Sequence, residues 1–90
     1  MYQVETTPDF DEDIEALDKP VAARIINKIE WLAGHPDLLK NPLKHMPDDL
    51  KGLQKYRIGN HRVLFWVDHK NKTIVMYSVE HRRSVYKKVR

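Results

Sequence analysis

The sequence contains no cysteine. That excludes a disulfide scaffold, a thiolate zinc site and a cysteine nucleophile, and it agrees with a cytoplasmic protein. No apolar run approaches the roughly 20 residues needed to span a bilayer, so no membrane association is expected. The opening residues, Met1-Tyr2-Gln3-Val4-Glu5, lack the basic-then-apolar order of a signal peptide. The glycines, Gly34, Gly52 and Gly59, stand too far apart to form a phosphate-cradling loop, and there is no Gly-x-Ser-x-Gly nucleophile turn. The histidines, His35, His45, His61, His69 and His81, have no metal-ligand spacing. Neither a metal nor another cofactor is expected. Repeats and low-complexity runs are also missing, so the 90 residues form one domain spanning 1–90.

Acidic residues are scarce in one half only. Residues 1–50 hold 5 Lys/Arg against 11 Asp/Glu, a net charge of −6, whereas residues 51–90 hold 11 against 2, a net of +9. The overall +3 conceals this division. A basic half of this kind suits a polyanion or an acidic protein.

Three strand-like runs lie in that basic half: Leu53–Ile58, His61–Asp68 and Thr73–Val79. Each is rich in β-branched and aromatic residues. Gly59-Asn60 is a two-residue hairpin signal, and His69 to Lys72 make a longer polar turn, so the runs predict an antiparallel meander. Strand alternation places Arg62, Leu64 and Trp66 on one face and Val63, Phe65 and Val67 on the other. An unpaired cation is costly to bury, so Arg62 should reach a solvated groove. Lys55, Arg57, Arg62, Arg82 and Arg83 converge on this small sheet. Trp66 reads as packed beneath a terminal segment, and Trp31 as a partly buried anchor.

Upstream, Tyr2 to Thr6 alternates as a short strand. Thr7-Pro8 is a helix start, a capping Thr followed by Pro at the first helical position. Phe10, Ile14 and Leu17 share one helical face. Asp9, Asp11, Glu12 and Asp13 read as exposed acids that complement the helix dipole. Asp18-Lys19-Pro20 starts a second helix with Asp18 as its cap. Val21, Ile25, Ile29 and Leu32 form its apolar stripe, widened by Ala22, Ile26 and Ala33, and Gly34 is placed just beyond its end. A short connection predicts an antiparallel helical hairpin covering one face of the sheet. Asp37 to Asp49, with Pro42 and Pro47, reads as a loop with a turn of helix at Asp37–Lys40. Residues 82–90 could form two turns of helix.

Leu50-Lys51-Gly52-Leu53, the run Tyr56 to Phe65, Val79-Glu80-His81-Arg82 and Val85-Tyr86 together resemble the RelE/ParE superfamily of toxins from type II toxin–antitoxin systems, its RelE branch above all. The resemblance covers almost the whole chain. It implies an α+β fold: an N-terminal strand beside the last strand, a two-helix antiparallel hairpin on one face of a mostly antiparallel four-stranded sheet, and a short C-terminal helix. It further implies a metal-free endoribonuclease that cuts messenger RNA on the ribosome through attack of a ribose 2′-OH on the adjacent phosphate, and a cognate antitoxin as partner. By position, Lys55, Arg62, Arg82 and Tyr86 carry over as catalytic residues, with Arg57 alongside. Members carry a further cation at the place Leu53 occupies here.

Physical chemistry agrees with this set. Negative charge builds on phosphoryl oxygens during in-line attack, and fixed cations stabilise it. Arg62 and Arg57 suit a bidentate phosphate clamp. Arginine is a poor base, so a general base is expected from Lys55 or from His81. Lys51, Arg57, Arg83 and Lys87 are the expected RNA-phosphate contacts. The alternatives left open are a poison of DNA gyrase, as the ParE branch implies, and a non-catalytic RNA-binding module.

Overall fold

The computed structural model describes residues 1–81. The expected C-terminal helix, with Arg82, Arg83, Tyr86 and Lys87, lies outside the described residues.

Strand β1 (Gln3–Thr6) leads into helix α1 (Pro8–Glu15) and helix α2 (Lys19–Ala33). Two single 3-10 turns, Pro36–Leu38 and Asp48–Leu50, punctuate the following loop, and the meander β2 (Gln54–Ile58), β3 (His61–Asp68) and β4 (Thr73–His81) follows. The sheet order is β1-β4-β3-β2. β1 runs parallel to β4, and the other two pairings are antiparallel. This is the expected α+β architecture, with the first strand beside the last.

Local chemistry explains the boundaries. The Phe10 N–H donates to Thr7 Oγ1 at 3.2 Å, with Pro8 at the first helical position. Asp18 stands at the N-cap of α2, but its side chain makes no capping hydrogen bond. Gly34 closes α2 in right-handed backbone, with φ −87°, and not as a left-handed residue past the end. The last carbonyls find other donors: Tyr2 N–H reaches Ala33 O at 2.9 Å, and His35 Nδ1 donates to Trp31 O at 2.8 Å. The β2–β3 turn has positive φ at Gly59, +61°, and not at Asn60. That is the arrangement with glycine at the first central position of a tight hairpin. At the β3–β4 turn, Asp68 accepts from the Asn71 side-chain amide at 2.7 Å and from its backbone N–H at 3.1 Å. The side-chain bond, then the backbone bond, holds the Asp68 carboxyl below its ordinary pKa.

The core lies between the helices and one face of the sheet. Phe10 from α1 and Ile25, Ile29, Leu32 and Ala33 from α2 pack with Ile58, Val63, Phe65, Ile74, Met76 and Val79. Ile26, expected to widen the α2 stripe, is 36% exposed. It sits on the flank of a helix whose buried face is narrower than the apolar pattern.

One irregularity governs everything on the opposite face. Phe65 pairs with Met76 but Leu64 pairs with Ser78, so Tyr77 is an extra residue in β4. The start of α1 braces this bulge. Thr7 N–H donates to Met76 O at 3.1 Å, and Thr7 Oγ1 donates to Tyr77 O at 2.8 Å. Asp13 Oδ2 accepts from Val79 N–H at 2.9 Å. Asp13 is therefore not the exposed dipole-complementing acid expected; it is half-buried and serves a backbone donor at the bulge.

Candidate active-site cleft

The bulge reverses the alternation of β4. Before it, Ile74 and Met76 enter the core; after it, Val79 does, opposite Val63. Ser78 and Glu80 are thereby turned to the outer face, opposite Leu64 and Arg62 respectively. Across the β2–β3 ladder Lys55 stands opposite Leu64, and Arg57 opposite Arg62. Lys55, Arg62, Leu64, Tyr77, Ser78 and Glu80 then line one cleft of about 440 Å³.

The rim of this cleft comes from elsewhere in the chain. Asp9 contributes from the first turn of α1, and Leu43, Met46 and Leu50 from the loop before β2. Leu53 is buried within this apolar rim, where the resemblance expects a cation. Its backbone secures the loop: Leu43 N–H donates to Leu53 O at 2.7 Å, and Leu53 N–H to Leu50 O at 3.1 Å. Trp66 packs against the segment that leads into β2, and the terminal segment expected to cover it lies outside the described residues. The Trp66 Nε1 donates to Lys51 O at 3.2 Å, and its ring lies 5.1 Å from that of Tyr77. Lys51 is thus exposed at the entrance to β2 with its carbonyl engaged.

The expected site residues separate into groups. Lys55, exposed, and Arg62, half-buried, are brought together in the cleft. Arg57 is not. Its Nε donates to Gly59 O at 3.2 Å, and it lines a different hollow of about 750 Å³ between α2 and β2. His81 is not in the cleft either. It pairs across the ladder with His61 on the helix side, the rings 5.0 Å apart and nearly perpendicular at 87°. Burial, followed by the nearby His81 and then Arg24, pushes the His61 imidazole below its ordinary pKa. Arg82, Arg83, Tyr86 and Lys87 lie outside the described residues.

Sequence reasoning missed Ser78 and Glu80. Plain alternation from Ile74 assigns both to the core side, and nothing in the residue pattern marks Tyr77 as the extra residue. The Ser78 hydroxyl is buried without a hydrogen-bond partner among the described residues. Among the described residues Glu80 is the one sheet carboxylate in the cleft, and it is the cross-strand neighbour of Arg62. Chemically, the cleft offers two cations for an anion, a carboxylate able to take a proton, and apolar walls that thin out water. Among the described residues no three His, Asp or Glu side chains gather as metal ligands.

Comparison with known proteins gives the family and the fold. The profile of the ParE toxin of the type II toxin–antitoxin system, parDE, matches residues 4–86. RelE4 of Methanocaldococcus jannaschii is 34% identical over 92 residues, covering 98% of this chain and 94% of that relative. A chain of the Mycobacterium tuberculosis toxin–antitoxin complex RelBE2 superposes with a TM-score of 0.75 at 27% identity, covering 90% of this chain and 98% of its own. The isolated RelE toxin of E. coli shares the fold, with a TM-score of 0.72 at 19% identity over 97% of this chain and 93% of that one.

Proposed function

Because this chain belongs to the RelE/ParE superfamily of type II toxin–antitoxin toxins, we propose that its cleft cleaves messenger RNA on the ribosome. The observation that carries this reading is the placement of Lys55 and Arg62 together in one cleft on the outer face of the sheet. A phosphodiester seated there meets two fixed cations. The ribose 2′-OH attacks the adjacent phosphorus, the P–O5′ bond breaks, and a 2′,3′-cyclic phosphate and a 5′-hydroxyl result. Arg62, half-buried beside Leu64, faces the phosphoryl oxygens, where charge rises most in the transition state. The 2′-OH proton passes to the Glu80 carboxylate, which lines the cleft opposite Arg62, and the departing 5′ oxygen takes a proton from solvent. His81 faces away with His61 and is assigned no part in the transfer. Arg82 and Tyr86 keep the catalytic assignment the resemblance implies, Arg82 as a phosphate or leaving-group stabiliser and Tyr86 stacking on a displaced base or hydrogen-bonding the phosphate.

Work on the ribosome implies a cytoplasmic protein. A toxin of this class also requires restraint, and the RelBE2 match is a toxin–antitoxin complex. The proposed partner is a cognate antitoxin whose acidic and apolar residues lie across the cleft, neutralising its cations and covering its apolar rim.

Arg62→Ala is the deciding variant. Single-turnover cleavage of a translated message, read by primer extension, should fall by about 10²–10³-fold, as for loss of an oxyanion donor. Thermal unfolding should stay close to that of wild type. Unchanged cleavage removes the cleft assignment. A second reading follows from the ParE profile match: inhibition of DNA gyrase. A supercoiling assay run in parallel separates the two, since inhibited supercoiling without message cleavage selects the second.

A further inference from the structure

We propose that the hollow between α2 and β2 is a docking track for the sugar–phosphate backbone of the same RNA strand as it leaves the cleft. This rests on the reading of the cleft as an RNA-cleaving site. The hollow, about 750 Å³, is lined by Arg24, Asn27 and Lys28 from α2 and by Tyr56 and Arg57 from β2, with Trp31 at one end. Among the described residues no carboxylate lines it. Three cations sharing a concave surface without a counter-charge attract an anion and focus the field on it.

The cations are organised by their surroundings. Gly59 gathers two of them: its carbonyl accepts from Arg57 Nε at 3.2 Å, and a Cβ added to it would stand 2.8 Å from Arg24 Nη2. The bare turn therefore lets the Arg24 guanidinium lie against the backbone. Lys28 is held over the Trp31 ring, with Nζ 4.1 Å from its centroid and 5.6 Å from that of Tyr56. The Trp31 ring is also stacked on His35, centroids 4.0 Å apart and planes at 18°. With Lys28 and His35 both seated on it, the indole is occupied as a scaffold and is poorly placed to stack on a base. Recognition by phosphate contacts, without base reading, is what remains. Continuity with the cleft selects the occupant. Lys55 in the cleft and Arg57 in the hollow are two residues apart on β2, roughly 7 Å along the strand, so one strand of RNA can pass over the sheet edge from one to the other.

The test uses uncleavable 2′-O-methyl RNA and fluorescence anisotropy over a salt series. Arg24→Ala/Lys28→Ala should weaken binding of a 12-nucleotide strand about tenfold and flatten the log–log salt slope by about 1.4, two phosphate contacts at roughly 0.7 each. A trinucleotide that fills only the cleft should bind the variant as it binds wild type, whereas Arg62→Ala should weaken both. Wild-type affinity and slope for the 12-nucleotide strand in the folded variant overturn the proposal. So does loss of binding to a Glu-rich dodecapeptide with RNA binding retained, which makes the hollow a protein-docking surface. If the double variant does not fold, Arg57→Ala at the hairpin turn puts the same question. The cleft reading fails separately: Arg62→Ala then leaves message cleavage intact, whatever the hollow variants do.

Discussion

Leu53 shows how a departure from a family pattern can be structural. The side chain is 1% exposed and sits among Leu43, Met46 and Leu50. An ammonium there would lose its hydration within an apolar rim. The rim is therefore built at the expense of one cation, and Lys55 and Arg62 hold the described part of the cleft without it. His61 carries a consequence for pH. Burial, His81 and Arg24 lower its pKa in the folded protein, so the unfolded chain binds the proton more readily. Stability is then complete above the ordinary value of 6.5 and falls as pH drops from 6.5 toward the depressed folded value, levelling off below it. Thermal melts from pH 8 to pH 5 should show a decline that is shallower for His61→Gln than for wild type. Equal slopes would remove His61 as its source.

Among the elements, the bulge in β4 decides which side chains reach the cleft, and α1 holds the bulge. Asp13→Ala removes the acceptor of Val79 N–H. An unsatisfied buried donor costs about 1–3 kcal/mol, and the register beyond the bulge loses its brace. The variant should unfold earlier in urea. It should also cleave more slowly under conditions where it remains folded, because Glu80 is no longer held opposite Arg62. Lower stability with wild-type cleavage by the folded fraction would confine Asp13 to a packing role. The bulge also marks where the sequence ceased to be legible. Strand runs, the Gly59 turn, the Thr7 cap and the opposition of Arg62 to Val63 all follow from local pattern, because each depends on neighbours in the chain. The positions of Ser78, Glu80 and His81 depend on one residue that pairs with nothing, braced by Thr7 and Asp13 from the other end of the fold. Arg57 left the expected cluster for a similar reason. Its carbonyl partner belongs to a turn whose shape the pattern indicates but whose side-chain contacts it does not.

At the scale of the whole molecule, charge is divided between the acidic helical half and the basic meander half. The potential around such a protein is directional, and a polyanion is drawn to the sheet and away from α1. Association with ribosomes should accordingly slow by about tenfold or more between low and physiological salt, while dissociation changes much less. Stopped-flow association at several salt concentrations checks this, and a rate insensitive to salt would mean that docking is not steered by the basic half. The parallel ladder has a different kind of consequence. Gln3 pairs with Thr73 and Thr6 with Met76, so β1 has no partner until some seventy residues later in the chain. Closing that loop is an entropic cost met late, and contacts of this separation make folding slow relative to a helical domain of equal size. Ser78 and Glu80, which complete the cleft, arrive on the same late strand. During synthesis the growing chain can build helices and the β2–β3 hairpin, yet the cleft cannot exist before β4 has emerged. The topology therefore postpones the capacity for harm until β4 itself has been made.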